Sequence, residues 1–364
     1  MDKFQEIKIA VLPGDGIGAE VLHAALPVFE LLNLPVNLQL GDIGWNFWQQ
    51  EGTPIPARTW DLIHTADVTL LGAVTSKPKR EAVNEAGGMG STAYLSPILQ
   101  LRQALDLYAN VRPCFSIKKD SPEFNVCIVR ENTEGLYAGL DFYPLPQELH
   151  GIIQQQSKRW KAVNANEMSA TLRLQTKNGW LRIFEFAFAY AVEKKMQRVT
   201  FADKPNVLRD SSAFAREHFE SVASRYPQIH ADILNVDAVA LWLVRRPQQF
   251  GVIVAENMFA DILSDVGAAV MGGLGFAPSA NIGQHGTYFE PVHGSGPRMK
   301  MNSANPSAMF LTIGLMLEHL GFTQESVHVR QAVTSVVQEE TEVTYDLGGN
   351  KTTQNMAEAI LQRL

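Results

Sequence analysis

Residues 256–265, E-N-M-F-A-D-I-L-S-D, place two carboxylates, Asp261 and Asp265, four positions apart. On a helix, positions i and i+4 stand side by side on one face. Two carboxylates held that close repel each other. A hard divalent cation such as Mg²⁺ or Mn²⁺, which takes oxygen ligands, gives a reason to keep them. For this pair alone a solvated acidic face is the plain alternative. The rest of the chain adds three arginines, a tyrosine and a lysine, in motifs that fit a metal-held carboxylate substrate.

The elements that must position these groups alternate. Ile7–Leu12 is a β-rich run ended by Pro13-Gly14-Asp15-Gly16-Ile17-Gly18, and residues 19–32 then carry apolar side chains at helical spacing. Buried strands are expected at 67–72, 126–129, 199–201 and 252–255, with a flexible loop at Gly87–Ser91 before a helix at about 96–106. Strands alternating with helices argue an α/β sandwich. The G-D-G-I-G-A loop lacks glycine at its sixth position, Ala19. It therefore misses the dinucleotide fingerprint and reads as a tight strand-to-helix turn. Residues 180–195, with Trp180, Ile183, Phe184, Ala187 and Ala191 on one stripe and more aromatics beside it, read as a helix buried nearly all round, in the core or at a subunit interface. Residues 144–156 look like a polar excursion.

At 364 residues the chain is too long for one simple core, and two lobes are expected. The net charge is 31 − 38 = −7 and no basic block stands out, which argues against a nucleic-acid partner. Cys114 and Cys127 match no metal or disulfide spacing and read as buried thiols of a reducing cytoplasm. The N-terminus shows no signal-peptide apolar region. The apolar run 309–317 is too short to cross a bilayer, so no membrane contact is expected.

L-R-Q-A-L-D-L-Y-A-N-V-R-P (101–113), V-R-E-N-T-E-G-L-Y-A-G (129–139) and N-M-F-A-D-I-L-S-D-V-G-A-A-V-M-G-G-L-G-F (257–276) resemble the β-decarboxylating dehydrogenases, the family of isocitrate, 3-isopropylmalate, homoisocitrate and tartrate dehydrogenases. The resemblance runs from G-D-G-I-G at 14–18 to D-L-G-G at 346–349, with Ala260 where glycine is usual. It implies a three-layer α/β/α sandwich with a mixed sheet, not a Rossmann fold. It also implies a discontinuous cofactor lobe (1–107 and 272–364) and an inserted lobe (108–271) that makes the dimer contact. By the same resemblance, Arg102, Arg112 and Arg130 hold substrate carboxylates. Tyr137 is the general acid and Lys204 the base. Asp237 joins Asp261 and Asp265 as the third metal ligand. In the family the lysine and this aspartate come from the other subunit, so a homodimer with composite sites is implied. Arginine suits its part because its planar fork bonds a carboxylate bidentately and stays charged. Singly, each of these residues has an ordinary surface reading; jointly, in this order, they do not. A non-catalytic regulatory subunit is the rival of another class, and the retained Tyr137, Lys204 and three aspartates argue against it.

Isocitrate enzymes carry serine six residues before the first arginine and asparagine four before. Here Ser96 is present, but Ile98 replaces the asparagine and Leu99 follows. An apolar wall favours 3-isopropylmalate over a third carboxylate, because an unpaired buried carboxylate is costly. Isocitrate and homoisocitrate stay as alternatives. Around the loop 289–306, cofactor contacts are expected from Glu290, His293, Gly294, Ser295, Gly296, Arg298, Met299 and Asn305, with Tyr345 further on. NAD-using relatives carry aspartate five residues after the histidine; here Arg298 stands there, and arginine suits a 2′-phosphate. Tyr345 points the same way, Gly349 does not, and NADP is favoured over NAD.

Overall fold

A computed structural model of the chain describes residues 6–77, 94–119 and 122–364. The expected loop at 87–91 lies outside them. Ten strands form one mixed sheet: β1 (Ile7–Gly14), β2 (Val36–Leu40), β3 (Val68–Ala73), β4 (Ala109–Phe115), β5 (Asn125–Glu131), β8 (Arg198–Asp203), β9 (His230–Asn235), β10 (Val252–Ala255), β11 (Pro278–Ile282) and β12 (Thr287–Pro291). A separate two-stranded arm pairs β6 (Asp141–Phe142) with β7 (Ala170–Thr171). The sheet order is β2-β1-β3-β12-β11-β4-β5-β10-β8-β9. Both flanks are parallel, whereas β11 runs antiparallel to β12 and β4, and β4 antiparallel to β5. Helices cover both faces, giving the expected three-layer mixed α/β sandwich.

Hydrophobic pattern explains the layering. β3 (V-T-L-L-G-A) and β10 (V-I-V-A) are buried at every residue, as parallel strands covered on both faces must be. The strands from 7–73 and 278–291 lie together on one flank, and those from 109–255 on the other. The helix Ser307–His319 is buried almost all round and packs on β11 and β12. No described helix is long and apolar enough to cross a membrane.

One expectation is corrected. The helix Lys177–Glu193 is not buried nearly all round: Glu185, Ala189 and Val192 are exposed. Its apolar stripe is core, with Trp180 stacked on Phe184 at 5.1 Å and both rings edge-on to Phe201. Exposed apolar side chains gather instead on the helices Val236–Arg245 and Asn257–Met271, at Leu241, Trp242, Val244 and Ile262. These two helices pack on each other.

The glycine loop is a structural turn. Gly14 and Gly16 have φ of +78° and +55°. A Cβ on Gly14 would lie 2.1 Å from the Ala73 carbonyl oxygen, and one on Gly18 2.2 Å from the Ala73 nitrogen. Only glycine lets the turn approach β3 this closely. The turn also receives the distant loop after β12, because the Ile17 amide donates to the Ser295 carbonyl at 3.0 Å.

Candidate active site

The site is built on the middle of β4 and the ends of β5 and β10. β4 carries Arg112 and its antiparallel neighbour β5 carries Arg130. β10 leads into the helix Asn257–Met271, capped by the Glu256 carboxylate accepting from the Phe259 amide at 3.1 Å. Helical spacing puts Asn257, Asp261, Ser264 and Asp265 on one face, towards the arginines. Arg130 pairs with Asp261 and donates to Asn257 Oδ1 through Nε and Nη2 at 3.0 and 2.7 Å. Arg112 donates to Asn110 and Ser264, both at 2.6 Å, and lies 3.5 Å from Asp261 and 3.8 Å from Asp265. The Tyr137 hydroxyl donates to Asp261 Oδ2 at 2.8 Å.

Arg102, on the helix Pro97–Ala104, stands near Tyr288, and its Nε is buried without a partner. Leu99, Arg102, Asn132 and Tyr137 border a cavity of about 240 Å³. Ile98 packs on the apolar cluster that includes Leu101 and Leu105, so Leu99 is the apolar residue at this cavity. Ser96 bonds Ser76 side chain to side chain at 3.0 Å.

The electrostatics follow from burial. The Arg130 guanidinium is lowered to about 10, first by desolvation and then by the charges of Arg102 and Arg112. Arg112 is lowered by burial too, opposed by Asp261. Arginine keeps its charge at neutral pH, so the pocket holds three cations close together. Burial raises the Tyr137 phenol, and its bond to Asp261 adds to this, so the proton stays on oxygen at neutral pH. Burial also raises Asp265; Arg112 opposes the rise and Asp261 adds to it.

Asp237 does not join the other two aspartates within one chain. It opens the helix Val236–Arg245 and pairs with Lys204, whose hydrogen bond holds the Asp237 carboxyl below the usual carboxylate range. Among the described residues no three His, Cys, Asp or Glu side chains gather as a metal site. The donor set nonetheless fits a hard divalent ion in part. Asp261 and Asp265 present oxygen donors on one helix face, with side chains 32% and 62% exposed.

The expected cofactor residues are more scattered. Glu290 accepts from Asn281 Nδ2 at 3.1 Å and the Tyr288 hydroxyl at 3.0 Å, which turns it towards the arginine pocket. His293 bonds the Gly294 carbonyl through Nδ1 at 3.1 Å; its Nε2 is buried without a partner, and burial lowers the imidazole. The Ser295 hydroxyl meets that of Thr75 at 2.8 Å. Gly296 has φ of +55°, and its carbonyl accepts from the Met299 amide at 2.8 Å. Asn305 is buried, accepts from the Ser307 amide at 2.9 Å and donates to Asp346 at 3.0 Å. That second bond brings the segment of Tyr345 to the loop. Arg298 is exposed and has no ion pair among the described residues; Tyr345 is 60% exposed. The orphaned His293 Nε2 and the glycine turn against Ser295 suit a dinucleotide.

Sequence reasoning missed the asparagines and serine that hold the arginines. Asn110 donates to Ser279 at 2.7 Å and to Asn281 Oδ1 at 2.9 Å, and Asn132 donates to the same oxygen at 3.1 Å. Only Asn257 and Ser264 were within reach of the helical spacing that picked out the aspartates.

The sequence profile of the isocitrate/isopropylmalate dehydrogenase family matches residues 8–360. The chain belongs to that family, the β-decarboxylating dehydrogenases. It is 60% identical to Protein DlpA of Legionella pneumophila over 365 residues, and spans 59% of that protein's length. It is 40% identical to the 3-isopropylmalate dehydrogenase of Methanothermobacter thermautotrophicus, covering 99% of each chain. Isocitrate dehydrogenase from Methylococcus capsulatus superposes with a TM-score of 0.85 at 35% identity, over 98% of this chain and 99% of the other.

Proposed function

We propose that the protein catalyses metal-dependent, NAD(P)-linked oxidative decarboxylation of a 3-substituted malate, with 3-isopropylmalate and NADP as the favoured pair. The observation that carries this reading is the pocket where Arg102, Arg112 and Arg130 converge on the Asp261–Asp265 face, with Arg102 Nε still lacking a partner. A buried guanidinium nitrogen without a partner, beside two buried cations, calls for an anion that brings several acceptors. A dicarboxylate does so, and the apolar Leu99, which borders a cavity with Arg102 and Tyr137, suits a branched alkyl substituent.

Asp261 and Asp265, with Asp237 of a second subunit, would hold Mg²⁺ or Mn²⁺. When bound, the ion would supply charge stabilisation at the hydroxyl and carboxylate oxygens, and the nicotinamide would take up the hydride. The chain's own groups do the rest. The arginines bind and orient the carboxylates. Lys204 accepts the hydroxyl proton as the C–H hydride leaves. Loss of CO₂ breaks the bond to the β-carboxylate and leaves its electron pair in an enolate. Tyr137, whose raised phenol keeps its proton, returns a proton to that carbon. Positioned acid–base groups of this kind contribute about 10²–10⁴-fold.

The lobes we assign are 1–107 with 272–364, and 108–271, meeting where β11 pairs with β4. A cytoplasmic homodimer completes the reading. Its contact would cover the exposed Leu241, Trp242, Val244 and Ile262 and bring Lys204 and Asp237 to the partner's site. For NADP, Arg298 and Tyr345 would face the 2′-phosphate. Glu290 would serve the boundary between the cofactor and the arginines. Assays of 3-isopropylmalate, isocitrate, homoisocitrate and tartrate, each with NAD and NADP and Mn²⁺, test the proposal. Turnover of at least one with release of CO₂ is expected, 3-isopropylmalate with NADP fastest. Turnover of none would overturn the proposal in favour of a ligand-binding, non-catalytic role.

A further inference from the structure

One buried charged cluster lies behind the site and takes no part in the chemistry above. Arg173, just after β7, points its guanidinium between two carboxylates: Nη2 lies 3.7 Å from Asp203 Oδ1 and Nε 3.8 Å from Glu256 Oε2. Asp203 and Glu256 are each 1% exposed. The Arg173 guanidinium also stands 5.3 Å from the Phe259 ring centroid. All three Arg173 nitrogens, Asp203 Oδ1 and Glu256 Oε2 are buried with no hydrogen-bond partner. Direct bonds would be about 2.7–3.2 Å, so the guanidinium stands at ion-pair distance from both carboxylates without a direct hydrogen bond to either.

Such a cluster is a poor device for stability. Buried ions lose hydration, and apolar replacements of similar volume are often at least as stable. Its place in the fold gives it another use. Asp203 ends β8 and directly precedes Lys204. Glu256 caps the helix that carries Asn257, Asp261 and Asp265. Leu174, next to Arg173, pairs with Gly135 in both directions, at 2.8 and 3.3 Å, and Gly135 is two residues from Tyr137. The segments bearing the base, the metal-ligand face and the acid thus meet at one guanidinium.

We propose that Arg173 is a positioning residue: through Asp203 and Glu256 it fixes, from one buried guanidinium, the strand end that carries Lys204 and the helix start that carries Asp261. This rests on the roles proposed above for Lys204 and Asp261. Where Lys204 serves the partner's site and Asp261 its own, Arg173 also ties the two composite sites of a dimer together. Lysine cannot replace it fully, because a point charge reaches one carboxylate and a planar fork spans two.

The test is single-turnover stopped-flow on the dimer with Mn²⁺, following reduced nicotinamide with 3-isopropylmalate or isocitrate, for wild type, Arg173→Met and Arg173→Lys. The rate constant reads alignment and the amplitude reads the fraction of competent sites. For Arg173→Met the rate constant should fall roughly 10–10²-fold, the scale of a small misplacement of reacting groups. Its amplitude per folded protein and KM should stay near wild type. Arg173→Lys should melt close to wild type yet recover only part of the rate constant. A loss confined to amplitude, with an unchanged rate constant, would make Arg173 a packing residue and overturn the proposal. If Arg173→Met does not fold, Arg173→Lys decides: a lowered rate constant supports the proposal and a wild-type one overturns it. A wild type that turns over neither substrate removes the functional reading itself, and this inference with it.

Discussion

The arginine pocket and the cofactor loop differ in how they are held. In the pocket these anchors stand on a strand or a helix face: Arg112 on β4, Arg130 on β5, Asp261 one turn into a capped helix, all tied by bonds of about 3 Å or less. The loop from His293 to Asn305 is held at Ser295 against the glycine turn, and from Asn302 to Asn305 against Glu20, Gln354 and Asp346. Between them Arg298 is exposed. The substrate end is set by sheet register, which tolerates little change. The cofactor end is set by loop geometry, where a one-residue difference in length redirects a side chain. Substitutions should therefore cost most in the pocket and change preference, not capacity, in the loop.

The sharpest test of that contrast is Arg130→Ala. It removes the proposed partner of a substrate carboxylate and leaves Asp261 without its closest cation. Losing one partner of a buried charge pair between protein and ligand costs about 2–5 kcal/mol of binding, so kcat/KM should drop by at least about 10²-fold in steady-state assays, with the fold retained by circular dichroism. A loss under tenfold would mean that Arg130 is not at the reacting end.

Next comes the dimer. Lys204→Met and Arg130→Ala homodimers should each be nearly inactive. Subunit exchange between them should restore activity, since each heterodimer would carry one intact composite site. Proven exchange without recovery would place each site within one chain.

The loop should respond by changing partner. Arg298→Asp should shift the NADP/NAD ratio of kcat/KM towards NAD by at least tenfold, because a charge-assisted bond is worth roughly 1.5–3 kcal/mol. Tyr345→Phe should shift it less, having lost one neutral hydroxyl. An unchanged ratio would show that Arg298 points away from the ribose.

The smallest effect concerns pH. Burial lowers the His293 imidazole, so its folded pKa lies below the unfolded value. The neutral ring's contribution is full above about pH 6.5 and is lost as pH falls through that value. Melting temperature should drop between about pH 7.5 and about pH 5.5, and His293→Asn should flatten that drop. An equal drop in both would assign the acid limb to other groups.

Much of this was legible in the sequence, for physical reasons. The alternation of apolar runs and glycine turns specified the layers. The spacing at 14–18 marked a tight strand-to-helix turn, and glycine there answers to the Ala73 backbone. Asp261 and Asp265 were visible because helical periodicity alone puts them together. Arg173, Asp203 and Glu256 were not, since strand order, not spacing, brings residues so far apart in sequence to one point. The helix 177–193 was read as more buried than it is: an apolar composition marks burial without saying on how many sides. The exposed apolar side chains of 236–245 are few enough to pass as ordinary surface.

The central claim is that the Asp261–Asp265 face holds a divalent ion next to the arginine pocket. Mn²⁺ binding followed by electron paramagnetic resonance, with and without 3-isopropylmalate, tests it most directly when wild type and Asp265→Asn are compared and turnover is measured in excess chelator. Substrate should tighten Mn²⁺ binding in wild type, Asp265→Asn should weaken it without loss of fold, and chelator should abolish turnover. Equal Mn²⁺ binding by the two proteins, or full activity in chelator, would contradict it.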